Sequence, residues 1–183
     1  MTSIIKADNI STVSGSGNIA VASGTTLYAP GHVIQVFSDV KTGTSSTTST
    51  SFTDIPGLEV SITPKSSSSK ILVTYSVNIG TDDANFGYLR LVRDSTAIIV
   101  GNSSGTRVPV TSQYYAENNE GNIGGRSFTF LDSPSTTSQV TYKVQFRCAT
   151  SGTVTINKSF RDSNNSGYDS RAPSTITVME IAQ

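Results

Sequence analysis

Apolar residues recur at every second position over much of this chain. Leu58, Val60 and Ile62 fall on one face of a short run, and Ile71, Val73, Tyr75 and Val77 fall on one face of the next. A period of two is that of a strand with one buried face. Similar runs predict a first strand through Val33, Val36 and Val40, then strands over 87–92, 97–100, 107–115, 126–131, 140–147, 153–157 and 175–181. Between 58–62 and 71–77, the stretch Pro64-Lys65-Ser66-Ser67-Ser68-Ser69 reads as a polar hairpin loop. Residues 42–48, all of them Ser, Thr or Gly, read as a low-complexity linker. In the last run Ile176, Val178 and Glu180 share one face, while Met179 and Ile181 sit on the other. Apolar residues on both faces predict a strand that is covered on both sides.

About nine or ten short strands with polar turns and no helix-like period predict an all-β fold. The architecture expected is a two-sheet antiparallel sandwich of jelly-roll type spanning residues 32–183. No repeat of 20–50 residues is present, so a β-helix or propeller is not expected.

Residues 1–31 follow a different pattern. Their apolar positions are Ile4, Ile5, Ile10, Val13, Ile19, Val21, Leu27 and Tyr28, too sparse for a core, and Pro30-Gly31 closes the segment with a turn signal. A segment of this kind gains order only against another surface. It is therefore expected to be an extended attachment arm.

Composition sharpens the fold class. Ser and Thr account for 55 of 183 residues, and Val plus Ile outnumber Leu by 31 to 6. Branching at the β-carbon costs rotamer freedom in a helix but suits a pleated surface. The 13 basic and 13 acidic residues cancel, so no broad positive field exists to hold nucleic acid or an anionic membrane. The opening Met1-Thr2-Ser3-Ile4-Ile5-Lys6-Ala7-Asp8 lacks the apolar stretch of a signal peptide. No apolar run reaches membrane-spanning length. Synthesis in a cytoplasm without a membrane anchor is the expectation. A low apolar content, 72 residues counting Gly, further suggests that other chains contribute to stability.

Catalytic chemistry finds little to work with. His32 is the only histidine and follows Gly31, with no nucleophile-elbow motif anywhere. Cys148 is the only cysteine, set in a strand-like run, and is expected to be a small buried hydrophobe. No enzyme activity and no cofactor are expected. Asp162, Asn164 and Ser166 occupy the first, third and fifth positions of a calcium-loop opening. Pro173 stands where that loop needs its bidentate acid. Tyr114 and Tyr115, with Phe160, Arg161 and Tyr168, are candidates for a shallow glycan-contacting surface, because aromatic faces stack on the apolar faces of sugars. The competing reading is that these rings cover the core or an intersubunit seam. Four N-x-S/T sequons, at Asn9, Asn102, Asn157 and Asn164, are what so Ser/Thr-rich a chain gives by chance.

Several stretches resemble small virion structural proteins of tailed bacteriophages, especially those infecting cyanobacteria and other aquatic bacteria. They are residues 5–10, 17–21 and 27–36, the segment from Ile62 to Val73, the run Phe130-Leu131-Asp132-Ser133-Pro134, and the ending 174–181. The resemblance implies a homotrimeric β-sandwich built into or onto the particle. Two roles follow as expectations. One is a head decoration or cement protein on the virion surface, whose arm clamps neighbouring subunits, the major capsid protein being the expected partner. The other is a tail-fibre or receptor-binding module that touches host glycans. A free carbohydrate-binding lectin is the third, more distant reading.

Overall fold

The computed structural model describes residues 29–183, apart from positions 84, 118 and 166. The eight apolar arm positions from Ile4 to Tyr28, and Ser166 of the calcium-loop opening, lie outside the described residues. Among the described residues every regular element is a strand: β1 (Val33–Lys41), β2 (Ser45–Thr47), β3 (Thr53–Ile62), β4 (Lys70–Thr81), β5 (Phe86–Arg93), β6 (Thr96–Ile98), β7 (Ser112–Tyr115), β8 (Gly124–Asp132), β9 (Val140–Cys148), β10 (Val154–Ile156) and β11 (Ser174–Ile181). They form two antiparallel sheets, as the residue pattern predicts.

The first sheet runs β1-β11-β4-β8, with β2 and β10 prolonging the lines of β1 and β11. The second runs β3-β9-β5, and β6 and β7 share the far edge of β5. Merging those short pairs leaves eight strand positions. In chain order, the first sheet is 1-8-3-6 and the second is 2-7-4-5. Each early strand pairs with its mirror partner from the end of the chain: first with eighth, second with seventh, third with sixth, fourth with fifth.

The inward faces close one core. Leu58, Val60 and Ile62 meet Ile71, Val73, Tyr75, Val77, Leu89, Leu91, Tyr142, Val144, Phe146, Ile176 and Val178. Every alternation read from β3 and β4 is thus an inward face. Polar groups inside the sandwich are paired near one end. Glu180, fully buried beside Ile176 and Val178, accepts from Gln35 Nε2 at 2.6 Å and from the Lys65 backbone N–H at 2.8 Å. Asp132 accepts from the Tyr142 hydroxyl at 2.7 Å and from Arg93 Nη1 at 2.5 Å.

Several sequence expectations need correction. Residues 58–62 and 71–77 are not a hairpin: β3 and β4 lie in different sheets, and the Pro-Ser loop carries the chain across the sandwich. The linker 42–48 contains β2, which pairs with β10 although it has no apolar residue to advertise it. The strand expected over 107–115 starts only at Ser112. Gly105 at φ +58 and Pro109, which lacks an N–H for a ladder, keep the preceding stretch irregular. Ile99 at φ +47 ends β6 at Ile98, two residues earlier than the pattern suggests.

The two ends of the sandwich differ. Residues 29–32, the loop 63–69 and Ala182 sit where β4 begins, and are called basal here. The loops 82–85, 116–123, 149–153 and 157–173 sit where β4 ends, and are called distal. The 12 residues of β4 set these ends about 40 Å apart at roughly 3.3 Å per residue.

Candidate functional site

The long distal loop 157–173 gathers most of the candidate residues. An isolated bridge between Lys158 and Arg171 closes its neck. Asp162 accepts from Lys158 Nζ at 3.1 Å and from the Arg171 guanidinium at 3.0 Å. Asp169 accepts from Arg161 Nε at 3.0 Å, from the Ser159 hydroxyl at 2.6 Å, and from the Ser163 hydroxyl. These partners, Arg161 foremost, hold the Asp169 carboxyl well below the usual carboxylate range. Burial pushes the Asp162 carboxyl up, but Lys158 and Arg171 outweigh it and hold it lower.

A calcium ion would find this loop already neutralised. Both oxygens of Asp162 are engaged by cations of the same chain, while the side chain of Asn164 lines the adjoining hollow. The hollow has a volume of about 410 Å³ and a polar wall that includes Asn165, Ser170 and Arg171. Beside it Tyr168 is 74% exposed, its ring flanked by the Arg161 guanidinium at 5.8 Å.

The other aromatic candidates separate. Tyr114 is 7% exposed, and its hydroxyphenyl ring lies under Gly124 and Arg126. Any side chain at position 124 would sink into that ring, so glycine is required there. Tyr114 is therefore a core residue and not a contact surface. Tyr115 is half-buried and stacks on Phe86 with ring centroids 4.7 Å apart. Phe160 is half-buried in the neck of the loop. Arg161 and Tyr168 are the exposed members of the group, and they are neighbours.

The groups with nucleophilic or basic chemistry are placed structurally. His32 is exposed at the basal turn, where its backbone N–H donates to Ala29 O at 2.9 Å. Cys148 is fully buried, and burial pushes its thiol up from the ordinary value. A thiol in that state is a poor nucleophile at neutral pH.

The two outer sheet faces contrast sharply. On the β3-β9-β5 face, Asp54, Glu59, Lys143, Arg90 and Arg147 point outward, with Lys143 paired to Asp54 at 2.6 Å and Arg90 over Phe52 at 4.1 Å. The β1-β11-β4-β8 face presents Val36, Ser38, Val40, Thr175, Thr177, Met179, Leu72, Thr74, Ser76, Ser127, Thr129 and Leu131. Among these strands Lys70 is the sole outward charge, at the basal end of β4. Sequence reasoning missed this face, because the signal lies in lateral register and not in any one strand.

No family model matches the chain, and no curated protein matches it. Among solved structures, a chain from one described as the structure of infectious bursal disease virus, Gx strain, aligns with 12% identity and a TM-score of 0.40. The alignment covers 90% of this chain and 42% of that one, so the present chain spans less than half of that neighbour. A likeness of this degree carries no argument about role.

Proposed function

We propose that this chain is a non-catalytic structural protein of a bacteriophage particle, a homotrimeric head-decoration module attached through residues 1–31. The observation that carries the reading is the polarity of the sandwich. The N-terminal segment joins it at the basal end, held by the Gly31 N–H on Ala182 O at 2.8 Å, and the long loop 157–173 lies at the other end. A module so arranged is held at one end and presents the other.

The mirror pairing of strand positions supports the same reading. A long hairpin coiled so that first meets eighth and fourth meets fifth is the winding of a jelly roll, a fold used in viral capsids and in lectins. Among the described residues the Cys148 thiol is buried and His32 is exposed at the basal turn, so these two are not brought together as nucleophile and base. Zero formal net charge gives no electrostatic grip on packaged nucleic acid, so the major capsid protein is the expected partner.

Copy number tests the proposal. Quantitative mass spectrometry of purified particles should give this chain in an amount comparable to the major capsid protein. An amount far below it would transfer the chain to the tail. That second reading, a tail-fibre or receptor-binding module contacting host glycans, is favoured by one feature: Tyr168 stands exposed beside a polar hollow at the distal end.

A further inference from the structure

The outer face of the second sheet is divided along its length. Toward the distal end the strand registers place Phe86 beside Tyr115, and Tyr88 between Arg147 and Gln113. Arg90 follows two residues further along β5, beside Gln145. Phe52, just before β3, meets both cations: the Arg90 guanidinium is 4.1 Å and the Arg147 guanidinium 5.7 Å from its ring centre. Arg147 also lies 5.5 Å from the centre of the Tyr88 ring. Toward the basal end the rings give way to Glu59 opposite Lys143 and Ser61 opposite Thr141.

The two guanidinium groups lack an acid of their own. Asp54 accepts from Lys143 Nζ and from Gln145 Nε2, both at 2.6 Å. It reaches Arg90 only through Gln145, whose Oε1 accepts from Arg90 Nε at 2.7 Å. Arg147 donates from Nε to Cys148 O and from Nη2 to Ala149 O. Among the described residues the terminal nitrogens of Arg90 and Nη1 of Arg147 donate to no protein group, and neither arginine forms an ion pair. Both side chains are half-buried. Burial pushes the Arg90 guanidinium down from its ordinary value, and the Asp54 charge opposes this. A partly desolvated cation without a bonded acid is costly, and an arriving carboxylate relieves that cost.

The rings decide between classes of ligand. A sugar needs a bare ring face to stack on. Phe52 and Tyr88 each give a face to a guanidinium, and Phe86 and Tyr115 stack on each other. The rings therefore brace the cations, holding each guanidinium with its fork ready for a carboxylate. Arginine fixed among Tyr and Phe is also the composition of a protein-binding surface. Arg147 and Arg90 stand diagonally on neighbouring strands, roughly 7–8 Å apart at the backbone. Alternate side chains of an extended segment are about 6.7 Å apart, a close match. We infer that the distal half of this face, centred on Arg90 and Arg147, docks an extended acidic segment of a partner protein, with carboxylates at alternate positions on the two guanidinium groups. The contact uses neither residues 1–31 nor the uncharged sheet face, so it goes beyond the attachment reading and stands or falls apart from it.

Nuclear magnetic resonance of the arginine side chains in the full chain tests it. The probe is a short synthetic peptide alternating Glu and Thr, and the control is the same peptide with Gln for Glu. The Glu peptide should shift the Nε–Hε signals of Arg90 and Arg147 and leave that of Arg107, exposed on the loop before β7, in place. The Gln peptide should shift none of them. Arg90→Lys keeps the charge but loses the fork, and should weaken binding about tenfold, whereas Arg107→Lys should leave it unchanged. The signal shifts are read on the parent chain, so they decide the matter even if Arg90→Lys folds poorly. No shift at millimolar peptide would overturn the inference, as would equal weakening by the two substitutions. Larger shifts with heparin than with the Glu peptide would overturn it in favour of an anionic glycan. Shifts that grow with protein concentration when no peptide is present would overturn it in favour of a second copy of this chain. None of these measurements involves particles, so failure here is distinguishable from failure of the attachment reading.

Discussion

Asn157 sits at φ +64 with its side chain fully buried. Its amide donates to Lys41 O at 2.7 Å and Gly43 O at 2.9 Å, and its carbonyl accepts from the Ser174 hydroxyl at 2.5 Å. One side chain therefore ties the exit of β1 to the start of β11 where β10 ends. Its left-handed backbone is tolerated better by Asn than by most residues. Asn157→Ala strands two carbonyls and a hydroxyl and should cost roughly 2–4 kcal/mol in chemical denaturation. Asn157→Gly, which relieves the backbone but restores no bond, should recover only a small part of that loss. Equal stability of the two variants and the parent would remove Asn157 from this role. In the sequence Asn157 closes the strand expected over 153–157 and opens a sequon of the kind such a chain gives by chance. Nothing local distinguishes it, because all of its side-chain partners are distant in the chain except by folding. Tyr114 misleads in the same way: beside Tyr115 it suggests an exposed pair, yet alternation turns one ring inward and the other out.

Elements with a buried face were legible, and elements without one were not. In β3 and β4 the apolar alternation marks the inward face at each position, since a slip by one residue would turn every apolar side chain to water. The short β2 is Ser and Thr throughout, so its pairing with β10 leaves no hydrophobic trace. The loop 157–173 is organised differently, by Asp162 and Asp169 with their cations. Its stability must therefore depend on pH. The folded loop favours ionised Asp169, whose carboxyl lies below its ordinary value, through Arg161, Ser159 and Ser163. That contribution is complete above the unfolded value near ~3.9 and is lost as pH falls below it toward the folded value. Hydrogen exchange at pH 3 should accordingly show loss of protection over 158–171, relative to pH 6, before β4, β9 and β11 open. Loop and core opening together would mean that the ion pairs do not hold the loop.

At the scale of the whole molecule, the separation of the ends by about 40 Å makes two activities separable. The basal segment joins through Gly31 and Ala182, while Tyr168 projects from a loop whose hydrogen bonds are confined to the distal end. Among the described residues the ion pairs of the distal cluster stay within the loop 157–173, so substitutions there and at the basal turn should act additively. Removing residues 1–28 should abolish binding to particles stripped of this chain, while residues 29–183 retain the strand signature in circular dichroism. Tyr168→Ala should leave that binding within about twofold, because an exposed ring that supports no core costs little when removed. The same variant separates the two roles: a head module keeps normal host adsorption without the ring, and a receptor-binding module loses it. If Tyr168→Ala instead weakened attachment to the particle, the distal loop would be the attached end, and the basal arm would have to be what faces outward.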